Sequence, residues 1–129
     1  MDFNNSNVIF LEMKDFKGKV LTINGKPFPG TVLIMVQGSF CGYCTQAKPD
    51  FIKLANTFGS KSLSNNSIVF ATIKIDGDTE EQQLGKAIGN LTGEKLSGVP
   101  AYLIYRNGKF SHLHTGGRDF ESLKKSIGM

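Results

Sequence analysis

From Thr31 to Val36 the chain runs through Thr-Val-Leu-Ile-Met-Val with no alternation of polar and apolar residues. A strand that is apolar at every position must be covered on both faces, which places this run at the centre of a layered domain. Through Gln37-Gly38-Ser39-Phe40 it hands over to Cys41-Gly42-Tyr43-Cys44, and these are the only two cysteines in the sequence. Helical spacing begins there. Ala47, Phe51, Leu54, Ala55 and Phe58 recur on one face, Gly59 is placed to stop the helix, and Pro49 is expected to kink it.

Cysteines three apart on a helix share a face and come within the span a disulfide can bridge, so the pair can open and close without refolding. Unpaired N–H groups and the macrodipole at a helix start favour a thiolate, which casts Cys41 as the nucleophile. Cys44, one turn deeper, is expected to stay a thiol until it attacks the mixed disulfide formed at Cys41.

The length of 129 residues suits a single domain over 1–129 with one sizeable core, with no need of a disulfide staple. A net charge of +4, scattered along the chain, argues solubility and not nucleic-acid binding. No apolar run nears the roughly 20 residues of a bilayer span. The first residues carry Asp2 and several asparagines and show no secretory leader, and the last four, Ser126 to Met129, are no retention signal. The expected location is therefore cytoplasmic, where a lone CxxC is catalytic or metal-binding more often than structural, and where the acceptor patterns at Asn4, Asn65 and Asn90 stay silent.

Along the rest of the chain, Val8 to Met13 reads as a strand, and Val20 to Ile23 with Lys26 to Phe28 as a small hairpin on Asn24-Gly25, so that 20–28 is an N-terminal addition. Ser60 to Ser67 is a polar loop, and Ile68 to Ile75 a second buried strand that ends at Asp76. Asp78 or Thr79 caps a helix that buries Leu84, Ile88 and Leu91, although Gly85 and Gly89 weaken its propensity. Beyond Gly98-Val99-Pro100, Ala101 to Arg106 and Lys109 to Thr115 form a hairpin on Asn107-Gly108. Asp119 then caps a last helix with Phe120, Leu123 and Ile127 inward.

The order strand, CxxC, kinked helix, strand, helix, Val-Pro, hairpin, helix resembles the thioredoxin superfamily, including protein disulfide isomerase domains, from Thr31 to Ile127. Phe40 to Cys44, Pro49, Lys74-Ile75-Asp76, Gly98-Val99-Pro100 and Tyr105 to Lys109 carry the resemblance. It implies an α/β thioredoxin fold, a central mixed β-sheet flanked by helices on both faces, and a thiol-disulfide oxidoreductase. By resemblance, Pro100 is a cis-proline facing the dithiol, and Val99 offers a backbone edge on which an extended substrate pairs. Phe40, Gly42 and Tyr43 would complete the substrate-binding rim. No metal or organic cofactor is implied. The partners implied are protein disulfide or dithiol substrates and a recycling reductase or oxidase, with no nucleic acid or membrane, for a monomer.

Several positions depart from the family. Phe40 stands where tryptophan is usual, and Met35 and Thr72 stand where a buried acid and lysine are usual, which removes the customary proton acceptor for Cys44. Gly42-Tyr43 looks like the dipeptide of bacterial periplasmic disulfide isomerases, leaving a redox poise anywhere from about −270 to about −120 mV. The stretch 77–97 is longer than in a minimal thioredoxin and reads as an insertion, and Thr115 to Arg118 resembles both disulfide isomerases and glutaredoxins. Two other readings stay open at the level of sequence. One is a non-catalytic interaction module on the same scaffold. The other is a CxxC zinc module, for which His112 and His114, alternating on one strand face, are the remaining candidate ligands.

Overall fold

The computed structural model describes Phe3 and residues 6–59 and 67–129. The expected loop at 60–67 falls outside the described residues except for Ser67, as do Asn4 and Asn65. The apolar run forms β5 (Thr31–Gln37), the middle strand of a five-stranded sheet. It lies parallel to β6 (Ile68–Lys74), with Met35 beside Thr72, and antiparallel to β7 (Ala101–Arg106), with Met35 beside Tyr102. β1 (Val8–Phe10) adds parallel to β6 and β8 (Lys109–His114) antiparallel to β7, so the order is β1-β6-β5-β7-β8.

Both faces of β5 are buried. Val32, Ile34 and Val36 pack with Leu84, Ile88 and Leu91 of α2 (Thr79–Thr92) on one side. Leu33 and Met35 pack on the other with Phe51, Leu54 and Ala55 of α1 (Gly42–Phe58) and Leu123 of α3 (Phe120–Ser126). This is the mixed sheet with helices on both faces that the sequence order implies. Pro49 lies inside α1, which continues through it to Phe58, and it leaves the Thr45 carbonyl without an amide donor four residues on.

The N-terminal region differs from its expected form. The first strand stops at Phe10 because the Asp15 carboxylate accepts the Glu12 N–H at 2.8 Å and the Glu12 carbonyl accepts the Asp15 N–H at 3.0 Å, curling 13–15 into a 3-10 turn. A two-residue strand, β2 (Phe16–Lys17), pairs with β3 (Val20–Ile23), which pairs in turn with β4 (Lys26–Pro27). The hairpin at Asn24-Gly25 is therefore part of a three-stranded sheet, with φ of 54° and 81° at its turn, as a type I′ turn requires. This small sheet is pinned to the large one where the Gly108 carbonyl accepts the Leu21 N–H at 2.8 Å. A Cβ on Gly108 would sit 3.1 Å from Val20 Cγ1. Asn107 and Gly108 have positive φ, so the second hairpin also turns as its sequence dictates.

The stretch 77–97, read as an insertion, is α2 and the loop that follows it. Asp78 and Glu81 cap each other's backbone at 2.9 and 3.0 Å, and Gly93 ends the helix with φ of 75°. Gly85, costly by propensity, has a packing reason: a Cβ there would lie 3.1 Å from Ile75 Cγ2. Asp78→Ala should lower folding stability by about 1 kcal/mol, the usual worth of an N-cap. A urea midpoint unchanged by that substitution would show that α2 is held by its buried face alone.

Candidate active site

Cys41 is the N-cap of α1, with extended φ and ψ of −98° and 112°, so its side chain turns back over the first helical turn. Its Sγ accepts the Cys44 N–H at 3.1 Å, using one of the amides that a helix start leaves unbonded. The Cys41 thiol also donates to the Val99 carbonyl at 3.4 Å. The two contacts hold the sulfur between the first turn of α1 and the Val99–Pro100 segment.

The two cysteines are unequal. Both are free thiols; Cys41 is 9% exposed and Cys44 is fully buried, in the core formed with Ala47, Phe51 and Tyr102. Burial, reinforced by the Cys41 sulfur beside it, pushes the Cys44 thiol up to about 11. Only the first sulfur is presented for attack.

Phe40 and Tyr43 flank that sulfur and are 69% and 67% exposed, the most exposed large hydrophobic side chains among the described residues. Arg118, arriving from the loop before α3, sets its guanidinium 5.6 Å from the centre of the Tyr43 ring. Among the described residues nothing lies within 4 Å of where a Cβ on Gly42 would stand, so the approach between the rings is open on that side. The Val99–Pro100 peptide bond is cis, Pro100 is buried and Val99 half-buried. All seven residues singled out from the sequence, Phe40, Cys41, Gly42, Tyr43, Cys44, Val99 and Pro100, thus gather where β5 ends, α1 begins and β7 is entered.

Sequence reasoning missed how this loop is fastened. Ser39 donates its N–H to both oxygens of Asp76, at 3.0 and 3.1 Å, and its hydroxyl to Oδ2. These hydrogen bonds, the hydroxyl first, hold the Asp76 carboxyl below its ordinary range. They tie the segment before Cys41 to the end of β6. Two polar side chains were missed as well. Gln37 and Tyr102 are buried, and neither the Gln37 amide nor the Tyr102 hydroxyl has a hydrogen-bond partner among the described residues.

A sequence profile of the thioredoxin family matches residues 7–129. The chain belongs to the thioredoxin family. Thioredoxin-like protein 453L of Invertebrate iridescent virus 6 is 36% identical over 109 residues, covering 79% of this chain and 78% of the viral one. Thioredoxin-like protein 1 of Schizosaccharomyces pombe is 24% identical over 92% of this chain, which spans only 35% of the yeast protein. Among solved structures, human ERp44 superimposes with a TM-score of 0.65 at 17% identity, covering 95% of this chain and 29% of ERp44. Its zinc-bound form gives 0.66 at 18%. The likeness to ERp44 is one of fold.

Within this thioredoxin fold, the usual buried acid and lysine are replaced without leaving a polar orphan. Met35 and Thr72 are both fully buried, and the Thr72 hydroxyl donates to the Met35 carbonyl at 2.8 Å. His112 and His114 sit on β8 opposite Ile104 and Tyr102, with His112 exposed and His114 half-buried. Among the described residues no three His, Cys, Asp or Glu side chains cluster as a metal site, and no helix is long and apolar enough to cross a membrane.

Proposed function

We propose that this chain is a thiol-disulfide oxidoreductase that exchanges disulfides with protein substrates through Cys41 and Cys44. The observation that carries the reading is the inequality of the two sulfurs: one at a helix N-cap with an N–H donated to it, the other buried behind it with its proton held. In the reducing direction the Cys41 thiolate attacks one sulfur of a substrate disulfide. A Cys41–substrate S–S bond forms, and the other substrate sulfur leaves as a thiolate that takes up a proton. Cys44 then gives up its proton and attacks Cys41 Sγ, forming the 41–44 disulfide and releasing the second substrate thiol. The two electrons come from the cysteine pair, so the steps need no metal or organic cofactor.

Phe40, Tyr43 and Gly42 form the rim a substrate meets first, and a substrate strand laid along Val99 and Pro100 brings its disulfide to Cys41. Recognition through main chain gives breadth of clients. A reducing compartment such as the cytoplasm, with a reductase to reopen the pair, suits this cycle. An oxidising partner would run it in reverse.

The test is to trap the intermediate. Cys44→Ser should accumulate a mixed disulfide between Cys41 and client proteins, visible as a band lost on reduction and assigned by mass spectrometry. The Cys41→Ser, Cys44→Ser double variant should trap nothing. Equal, low recovery of clients on both variants would overturn the reading.

A further inference from the structure

Gln37 closes β5 just before the loop that carries the dithiol, and its side chain is fully buried. Neither its amide nitrogen nor its amide oxygen has a hydrogen-bond partner among the described residues. A buried carboxamide left unpaired at both ends carries a cost that an aliphatic side chain of similar length would not. We propose that Gln37 turns an amide N–H onto the Cys44 sulfur as that sulfur becomes a thiolate, and so speeds the resolving step. The inference rests on the oxidoreductase reading and assigns the group that serves its second half.

Position comes first. Side chains alternate along a strand, and Leu33 and Met35 lie on the face of β5 that packs with Cys44, so Gln37, two residues further on, continues that face. The last pair between β5 and β7 is Val36 with Ala101, which brings Gln37 level with the Val99–Pro100 segment. Both cysteines meet the residues beside it. The Gly38 carbonyl, next along the chain, accepts the Cys41 N–H at 3.3 Å, and the Val99 carbonyl accepts the Cys41 thiol. Burial and then the Cys41 sulfur raise the Cys44 thiol, while the Gly38 backbone amide works the other way. One backbone donor therefore already acts on the Cys44 sulfur, and the unpaired carboxamide belongs to the residue before it.

Chemistry comes second. In the resolving step Cys44 loses its proton and attacks Cys41 Sγ; the Cys41–substrate S–S bond breaks as the 41–44 bond forms, and the departing substrate sulfur takes up a proton. Negative charge thus gathers on Cys44 inside the core, where Met35 and Thr72 supply no carboxylate to take the proton. A carboxamide is no base, but it carries two N–H donors, and a charged acceptor makes such a bond roughly twice as strong. Gln37 is unbonded while Cys44 is a thiol, so the bond is gained only as charge appears, the condition under which an interaction accelerates a step. The other titratable groups that bear on this charge are Cys41 and Lys48 of α1 and Tyr102 of β7, with Lys74 of β6 the register partner of Gln37.

The test uses Gln37→Met, which keeps the length of the side chain and removes both polar atoms, and Gln37→Leu, which repeats the change with different packing. In each, Tm should hold or rise, because only an unpaired amide is lost. Rapid mixing with a peptide disulfide separates the half-reactions. Formation of the mixed disulfide, read in a Cys44→Ser background, should slow far less than its resolution, read with both cysteines present, which should fall at least about tenfold. A merely structural role would not move the ionisation of Cys44. In a Cys41→Ser background, with carbon-13-labelled cysteine followed by NMR, the Cys44 midpoint should rise by about one pH unit or more in both variants, the equivalent of that tenfold. An unchanged resolution rate, or an unmoved Cys44 midpoint, overturns the role of Gln37 and leaves the oxidoreductase standing. A chain that forms no mixed disulfide in the first place removes the oxidoreductase, and the role of Gln37 with it.

Discussion

Cys41→Ser should lower the rate of protein disulfide reduction by about three orders of magnitude or more, because a hydroxyl at neutral pH does not replace a thiolate that forms the first S–S bond. Cys44→Ser should behave differently: its first half-reaction survives, and single-turnover mixing should show one mixed disulfide formed and then a stall. Alkylation separates the roles independently of any substrate. With Cys44 held near 11, only about one part in a thousand of it is thiolate at pH 8, so iodoacetamide should label Cys41 first and reach Cys44 only as the pH climbs. The sign of the linkage follows. A thiol whose folded value is raised favours the folded state fully below the unfolded value near 9. That contribution is lost as pH rises towards 11, so the reduced protein should weaken in alkali through that window. Equal labelling of the two cysteines at pH 8 would contradict the burial of Cys44.

Most of this arrangement is legible because it is local. The unbroken apolar run of β5, the Asn-Gly turns with positive φ at 24–25 and 107–108, and the Asp78 cap each follow from a few adjacent residues. What escaped is what the fold brings together from afar or makes too small to show a period. β2 is two residues long, and its pairing rests on Phe16 reaching the Tyr105 ring at 5.9 Å. The Ser39–Asp76 tether joins positions 37 apart, and a lone Asp at a strand end reads simply as a terminator. Tyr102 reads as one more apolar strand residue, and nothing adjacent to it in the sequence shows that its buried hydroxyl has no partner among the described residues. The sequence does carry a signal for the tether. A serine just before the CxxC and an aspartate just past the neighbouring strand are the two groups that parallel pairing of β5 with β6 brings side by side.

The absence of the buried acid-lysine pair supplies the second large expected effect. Met35 and Thr72 are register partners on adjacent strands and face the core that holds Cys44. A carboxylate placed there by Met35→Asp has no cation opposite it, and the substitution should cost about 3 to 5 kcal/mol at pH 7. The pH dependence identifies the cause. Burial raises the folded carboxyl's pKa above its unfolded value near 3.9, so the ionisation penalty is absent below about pH 4. It grows by about 1.4 kcal/mol per pH unit until the folded group ionises. Urea midpoints should then show a loss of ionisation origin near 1.5 kcal/mol at pH 5 and near 4 kcal/mol at pH 7. Adding Thr72→Lys should recover part of it, because the ammonium gives the carboxylate a partner, although the hydrogen bond from Thr72 to the Met35 carbonyl is lost. The same aspartate would stand ready to take the Cys44 proton, so the mixed disulfide should resolve faster, by about a hundredfold where proton removal limits the step. A destabilisation equal at pH 5 and pH 7, with resolution unchanged, would mean that the carboxyl escapes to solvent. The proton of Cys44 would then leave by a route that this face of β5 does not control.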